Sequence, residues 1–546
     1  MKKLSKALFT LGVIALGMSF FACTSSGQGT SVLKEDFSQS SIMPSKTEYP
    51  AKSDNSKELD TSGLTPVTEH VYPLIKIVST ENGGKNGFIT DPVAHHVKDL
   101  QQSWYDFSNV DAPDPYYEKC TIAVDGGKAL EGQVKVRGNW TTNYNKKSLR
   151  IKFDKKQSMC GLNGGQKFKN WVLLAMYKDA SFLRDAVALK MYKQMFPEYY
   201  ASDCCLVEVE VNGVYLGVYL LAEQQETKEG RINITEAEKD SADTNIGYLI
   251  EFDSYYYTEV ENERFEINYG RGITDYDDRT LREIQNGYTI KSDVYSAEQK
   301  DFIMKYMNRV WKICYDAAYN QRYFRFNSEY GLEEYKPEGS NTDEKCKNCI
   351  SAVIDITSLA DMYIFNEIIC DPDLYLTSFF MDIDFGEGGD KLLRFEAPWD
   401  FDSTMGNKNF CVDNYSRGNI VGKNDMFAGA CQTDVNCEHN RFHANPWMVI
   451  FINEPWFQQL IKDQWAAIDS AAILSDLQEF IDDNSSKQYE AVYNYTRGLW
   501  GDPHEDWELS QPSAVAAATS QAASAAYLKE WLTYRFGAVD KIINNF

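Results

Sequence analysis

The stretch FNEIICDPDLYLTSFFMDIDFGEGGDKLLRFEAPWDFDSTMG, residues Phe365–Gly406, carries the reading of the whole chain. An apolar, helical run ends in the acidic loop CDPDLYLTS. The run FFMDID follows, then the turn FGEGGD, the run KLLRFEA and a second acidic pair in PWDFD. A hairpin returns the chain to its starting edge, so Asp373 and the pair Asp400/Asp402 are expected close in space. The pair either closes a strand as solvated turn residues or holds a cation. Clustered carboxylates raise one another's pKa unless a cation sits among them. Hard divalent cations such as Mg²⁺ take carboxylate oxygens, and phosphate often supplies the remaining ligands.

The chain has 546 residues, 43% hydrophobic and 14% aromatic, enough for a large core in two lobes or domains. Its formal net charge of -25 argues against nucleic acid as a partner, because such a surface repels phosphate backbones. The opening MKKLSKALFTLGVIALGMSFFACTSS has a basic start, a short apolar stretch and small Ala22 before Cys23. That pattern predicts a signal peptide over 1–22 and lipidation of Cys23, anchoring the protein outside the cytoplasm of a bacterium. Phe20 departs from the usual leucine, and an ordinary signal peptide cut nearby is the alternative. The polar run that follows predicts a flexible tether over 23–66. No later segment reaches about 18 consecutive apolar residues, so no other span is expected. Of twelve cysteines, eleven follow Cys23, an odd number that leaves at least one thiol without an internal partner. Cys346-Lys-Asn-Cys349 is expected to pin a small loop by a disulfide, in preference to zinc, which needs four ligands.

From Val71 to Gln224 the pattern is mostly strand. In KKSLRIKF, Leu149, Ile151 and Phe153 alternate with Arg150 and Lys152, as a half-buried strand does. DASFLRDAVALKMYKQM predicts a helix capped by Asp179 or Ser181. LVEVEVNGVYLGVYLLAEQ predicts a hairpin, since Asn212-Gly213 suits the two left-handed positions of a tight turn. Beyond Glu226 helical patterns dominate, in AEQKDFIMKYMNRVWKICYDAAYN, in PWFQQLIKDQWAAIDSAAILSDLQEFIDDN and in the closing segment.

The order of base loop, hairpin and metal aspartate is that of a protein-kinase catalytic centre. Six stretches make the likeness specific: VRGNWTTNYNKKSLRIKF, NWVLLAMYKDASFLRDAVAL, VEVEVNGVYLGVYLLAEQ, GYLIEFD, FNEIICDPDLYLTSFF and PWDFDSTMG. On these the chain resembles the spore-coat protein H (CotH) kinase family, exported or surface proteins, over roughly Val71 to Gly406. The resemblance implies an α+β, two-lobed, atypical protein-kinase-like fold, with a β-rich nucleotide-binding lobe over 67–225 and a mainly α catalytic lobe over 226–546. It implies ATP with Mg²⁺ or Mn²⁺, and Ser or Thr of an exported protein as acceptor. It places the Gly138–Tyr144 loop over the phosphates, with Lys146 or Lys147 pairing with them and Arg137 in the same cofactor-binding set. It puts Glu223 at a hinge near the adenine, Asp373 as the base, and Asp400 with Asp402 on the metal. Pro372 disfavours helix for Asp371, which reads as the residue leaving the helix, so Asp373 is preferred as base. Where kinases carry an asparagine for a second metal, this chain has Ser378, a weaker donor.

Each of these residues has a plainer reading. Lys147 can be a solvated strand-end cation, and Arg137 the partner of any carboxylate. Asp371-Pro372-Asp373 can be only a helix-ending turn, Trp399 a core residue, and Asp185 a helix decoration. Two other functions compete with the kinase: a catalytically silent surface binding or assembly protein on the same fold, and a glycan-active protein using carboxylate pairs.

Overall fold

Strand β1 (Leu74–Ser79) sets the architecture by pairing on both edges. It runs antiparallel to β2 (Glu118–Val124) and parallel to a strand far along the chain. Between them come β3 (Leu130–Arg137), β4 (Ser148–Gln157), β5 (Phe168–Leu174), β6 (Cys204–Val211) and β7 (Val214–Glu223). The order β1-β2-β3-β4-β5-β7-β6 closes a seven-stranded barrel through the β1–β6 pair. The computed structural model describes residues 59–79, 117–138, 141, 144–281, 284, 286–407, 426–430, 432–433, 442–501 and 517–546. The expected signal peptide, Cys23, most of the tether, most of the Gly138–Tyr144 loop, Cys431 and Cys437 lie outside these residues.

The helices used below are α1 (Arg184–Met195), α2 (Ala297–Asn320), α3 (Thr342–Ile350), α4 (Ile356–Ile369), α5 (Pro446–Val449), α6 (Pro455–Ala467), α7 (Ser470–Asn484), α8 (Glu490–Trp500) and α9 (Gln521–Asn544). Alternation does for β4 what was expected: Leu149, Ile151 and Phe153 point into the barrel with Val134, Val136, Val207 and Val209. Asn212 and Gly213, at φ of 51° and 80°, make the tight turn between β6 and β7. Helix α1 starts at Arg184, later than either expected cap, although the Asp179 carboxylate accepts the N–H groups of Leu183 and Arg184 at 3.0 and 2.8 Å.

The two-lobed kinase-like arrangement is not what the chain makes. The N-terminal strands close on themselves, and the region expected to be mainly helical contributes a second sheet. It is built from β8 (Gly247–Asp253), β9 (Arg264–Phe265), β10 (Gly287–Ile290) and β13 (Phe379–Asp384) in the order β13-β8-β10-β9, while β11 (Phe324–Phe326) and β12 (Leu332–Glu334) pair separately. One core crosses the expected lobe boundary, packing Leu206, Val218 and Leu220 of the barrel wall with Trp311, Phe365, Trp447 and Leu528. Helix α8 ties the two regions further. Its Trp500 enters the barrel core and donates its indole N–H to the Leu216 carbonyl at 2.8 Å. Gly217, at φ 86°, permits this approach, since a Cβ there would lie 2.2 Å from Thr496 Oγ1. The described residues accordingly form one compact unit.

Of two smaller expectations, the hairpin holds only in part and the pinned loop fails. The FFMDID/KLLRFEA hairpin is one-sided: β13 pairs along its length with β8, while the return segment makes a single bridge to it, Asp382 with Arg394. A fully buried strand takes the partner that covers it best, and β8 is buried at every position. Cys346 and Cys349 form no pinned loop. They lie one turn apart on α3, both buried as free thiols, because i and i+3 share a helix face. Among the described residues no helix is long and apolar enough to cross a membrane.

Candidate functional site

Three segments meet on the outer face of the barrel, where Val172 and Ala222 pack with Phe380, Ala397 and Trp399 in a small core of their own. The first is the turn after α4. Cys370 ends the helix at φ 51°, and the Asp371 carboxylate accepts the Asp373 N–H at 2.9 Å. The Asp373 carbonyl then accepts the N–H groups of Leu376 and Thr377 at 2.7 and 3.0 Å, winding this loop tightly. The second is the loop of Asp400 and Asp402. Ala397 and Asp400 hold φ of 61° and 71°, a conformation that costs a non-glycine residue about 1 kcal/mol or more and clusters at functional sites. The third is the start of α1, where Asp185 Oδ1 accepts the Phe401 N–H at 2.8 Å and Arg184 Nε donates to the Thr404 carbonyl at 3.0 Å. Met405 N–H donates to the Ile369 carbonyl at 2.8 Å, joining the second segment to the first. A narrow cleft lined by Asp371, Thr377, Ser378, Trp399 and Phe401 runs between the two acidic loops.

Carboxylates dominate this junction. Burial pushes Asp185 well above the usual carboxylate range, and Asp402 and Asp400 add to it. Burial does the same to Asp371, with Asp373 next in effect and Asp400 and Asp402 contributing. Asp402 is raised by burial and by Asp373, against the pull of Lys178. Asp400 keeps access to solvent, yet the surrounding protein and Asp402 push it up to about 7, again against Lys178 and Arg137. Two cations thus face the acids. Lys178 is buried beside the Tyr144 ring, and Arg137 lies over the Trp399 ring at 5.5 Å. Arg150, beside Arg137 on the same outer face, leaves its Nε without a partner.

The donor set fits a hard divalent cation. Among the described residues no group of three or more carboxylates, histidines or thiols is placed to hold a metal ion by itself. Mg²⁺ needs none, since it is commonly held by one or two carboxylates together with substrate phosphates and water. Like charges gathered at low exposure, with raised pKa values and few cations, are the chemistry that such an ion relieves.

The residues read from the sequence are distributed unevenly. Asp373, Asp400, Asp402 and Arg137 come to this junction. Ser378 borders it, at φ 61°, with its N–H donated to Glu251 Oε1 at 2.9 Å. Lys146 turns inward, its ammonium donating to the Ala175 carbonyl at 2.7 Å and to the Val218 carbonyl, over the Tyr219 ring. Burial lowers its pKa well below that of a free lysine. Lys147 is buried at the start of β4 and is pushed down to about 8 by that burial. Glu223 is engaged by Arg231 Nε at 3.1 Å, Asn163 Nδ2 at 2.8 Å and the Asp203 N–H at 3.0 Å. Lys178 and Arg150 were not singled out, and Asp185 was read only as a helix decoration. Arg150 had a signal, its outward position in the β4 alternation; Lys178 and Asp185 looked like ordinary charges flanking a helix start.

A model of the family described as CotH kinase protein matches residues 134–539, and the match takes in every one of these positions. No curated protein matches the chain.

Proposed function

The chain belongs to the CotH kinase family, and from that premise we propose that it is a metal-dependent kinase, transferring the γ-phosphoryl group of ATP to Ser or Thr of exported proteins. The observation that carries this reading is the convergence of Asp185, Asp371, Asp373, Asp400 and Asp402 on one junction, with Lys178 and Arg137 as the facing cations. Phosphoryl transfer asks a protein for positioning and for charge neutralisation, which this set provides without a two-lobed scaffold. Asp400 and Asp402 would hold Mg²⁺ or Mn²⁺; when bound, the ion neutralises charge on the phosphoryl oxygens. Lys178 and Arg137 pair with the phosphates. Asp373 is half-exposed at the end of its wound turn and takes the proton of the acceptor hydroxyl. Asp371, through its bond to the Asp373 N–H, holds that residue in place.

Lipid on Cys23 keeps the enzyme at the membrane, outside the cytoplasm. Replacing Cys23 with serine should release the protein from the membrane fraction, and unchanged retention would reject the anchor. The kinase reading is tested with γ-labelled ATP, Mg²⁺ or Mn²⁺ and a panel of co-exported proteins. Wild type should label one or more of them and Asp373→Asn should not. If neither labels any while both bind Mg²⁺-ATP, a silent binding protein becomes the better account.

A further inference from the structure

The loop between β4 and β5 is held down at three points. Met159 and Leu162 are buried in the barrel core, and the Asn163 N–H donates to Asp203 Oδ2 at 2.8 Å. Asn163 Nδ2 also reaches Glu223 Oε1 at 2.8 Å and the Gly230 carbonyl at 2.6 Å. These bonds bring Cys160, exposed and at φ 49°, to the opening residues of β6, near enough to Cys205 that the two thiols act on each other, lowering the Cys160 pKa and raising that of Cys205. Cys205 packs half-buried against the barrel core, whereas Cys204 faces the opposite side, toward the second core and Trp399. Successive strand residues point to opposite faces, so only one of the adjacent pair can meet the loop.

We propose that Cys160 and Cys205 close a disulfide that staples the β4–β5 loop to β6. It rests on the reading above that the protein is exported, because persistent disulfides belong to oxidising compartments. The Cys160 thiolate, favoured by the neighbouring Cys205 thiol, attacks a disulfide of an exchange partner and expels one of its sulfurs as a thiolate. Cys205, deprotonated in turn, attacks Cys160 Sγ of the mixed disulfide and expels the partner's second sulfur. The protein pair loses two electrons and two protons, and the partner is reduced to two thiols. The bond would hold Asn163 against Glu223 and Asp203 by shortening the span the unfolded chain can explore.

The purified full chain is treated with oxidised glutathione, alkylated and digested without reduction, and its peptides are mapped by mass spectrometry. A Cys160–Cys205 linked peptide is expected, with a melting temperature raised by about 5 °C that reductant reverses and Cys160→Ser abolishes. Cys160 found alkylated, or linked to Cys204, overturns the pair. The same map is made on protein taken from the cell envelope without added oxidant. A link that forms in the purified chain but is missing there would uphold the pair and overturn the export reading.

Discussion

Two groups of charge in this molecule are built on opposite plans. Glu367 and Arg535, both fully buried, answer each other completely. The carboxylate accepts Arg535 at 2.5 Å and the N–H groups of Phe427 and Ala428 at 2.6 and 2.9 Å, while Arg535 Nε donates to the Glu367 carbonyl at 2.8 Å. Glu223 with Arg231 follows the same plan. At the junction of the acidic loops, Asp185, Asp371, Asp400 and Asp402 raise one another with, among the described residues, Lys178 and Arg137 opposite. A paired charge is part of the scaffold; gathered like charges leave a repulsion that a cation from outside would relieve. Asn366-Glu367 and Asp371-Pro372-Asp373 are neighbours in sequence, yet they fall on opposite sides of this division.

The comparison breaks first at Arg535. Arg535→Met leaves a buried carboxylate without its cation and should cost about 3–5 kcal/mol in urea unfolding, whatever nucleotide is present. A loss below about 1 kcal/mol would place this pair outside the scaffold. Asp373→Asn should lower turnover about 10²-fold or more, because a base acts mainly in the transition state, while melting temperature and ATP affinity stay near wild type. Steady-state kinetics beside calorimetric titration separates these effects.

Asp400→Asn should weaken Mg²⁺-dependent ATP binding by about tenfold or more while leaving the apoprotein as stable as wild type or more so. The pH dependence carries the sign. Asp400 stands at about 7 in the folded chain against an ordinary 3.8, so between those values the folded state holds a proton that the unfolded state has lost. Its contribution to stability is complete below the ordinary value and disappears as pH rises through the folded one. Apoprotein melting temperature should therefore fall from about pH 4 to about pH 7.5 more steeply in wild type than in Asp400→Asn. Equal slopes would remove Asp400 from the group that awaits a cation. The smallest effect concerns the lysines. Lys178→Met should weaken ATP binding by several-fold, while Lys146→Met should leave affinity within about twofold and act on stability, since Lys146 serves two buried carbonyls. Reversed affinities would return the phosphate role to Lys146.

Much of the site was legible because its acids bracket a local pattern. Asp373 and the Asp400/Asp402 pair were placed together on the strength of an expected hairpin. They do meet at one junction, where Asp373 acts on both Asp400 and Asp402, but β13 reaches it by pairing with β8, and the return segment is held by a bridge and the small core around Trp399. The cation was not legible. Lys146 and Lys147 begin a strand, where one residue of offset decides whether a side chain enters or leaves the barrel. Lys178 precedes a helix and looks like any charge there until Asp400 and Asp402 are brought beside it.

By itself the sequence determined what depends on near neighbours. The inward set Leu149, Ile151 and Phe153 follows from a period of two, the Asn212-Gly213 turn from tolerance of left-handed φ, and α2 from its apolar period and the Ser296–Gln299 capping box. It also determined the family, through motifs in a fixed order. Only the tertiary structure decided that the N-terminal strands close into a barrel, that α8 enters it, and which cations face the acids. Those outcomes rest on contacts between residues far apart in the chain, such as Leu74 with Glu208 and Gly217 with Thr496. Local patterning carries no information about which distant surfaces bury each other, and burial is what turns a common aspartate into one held near neutral pH.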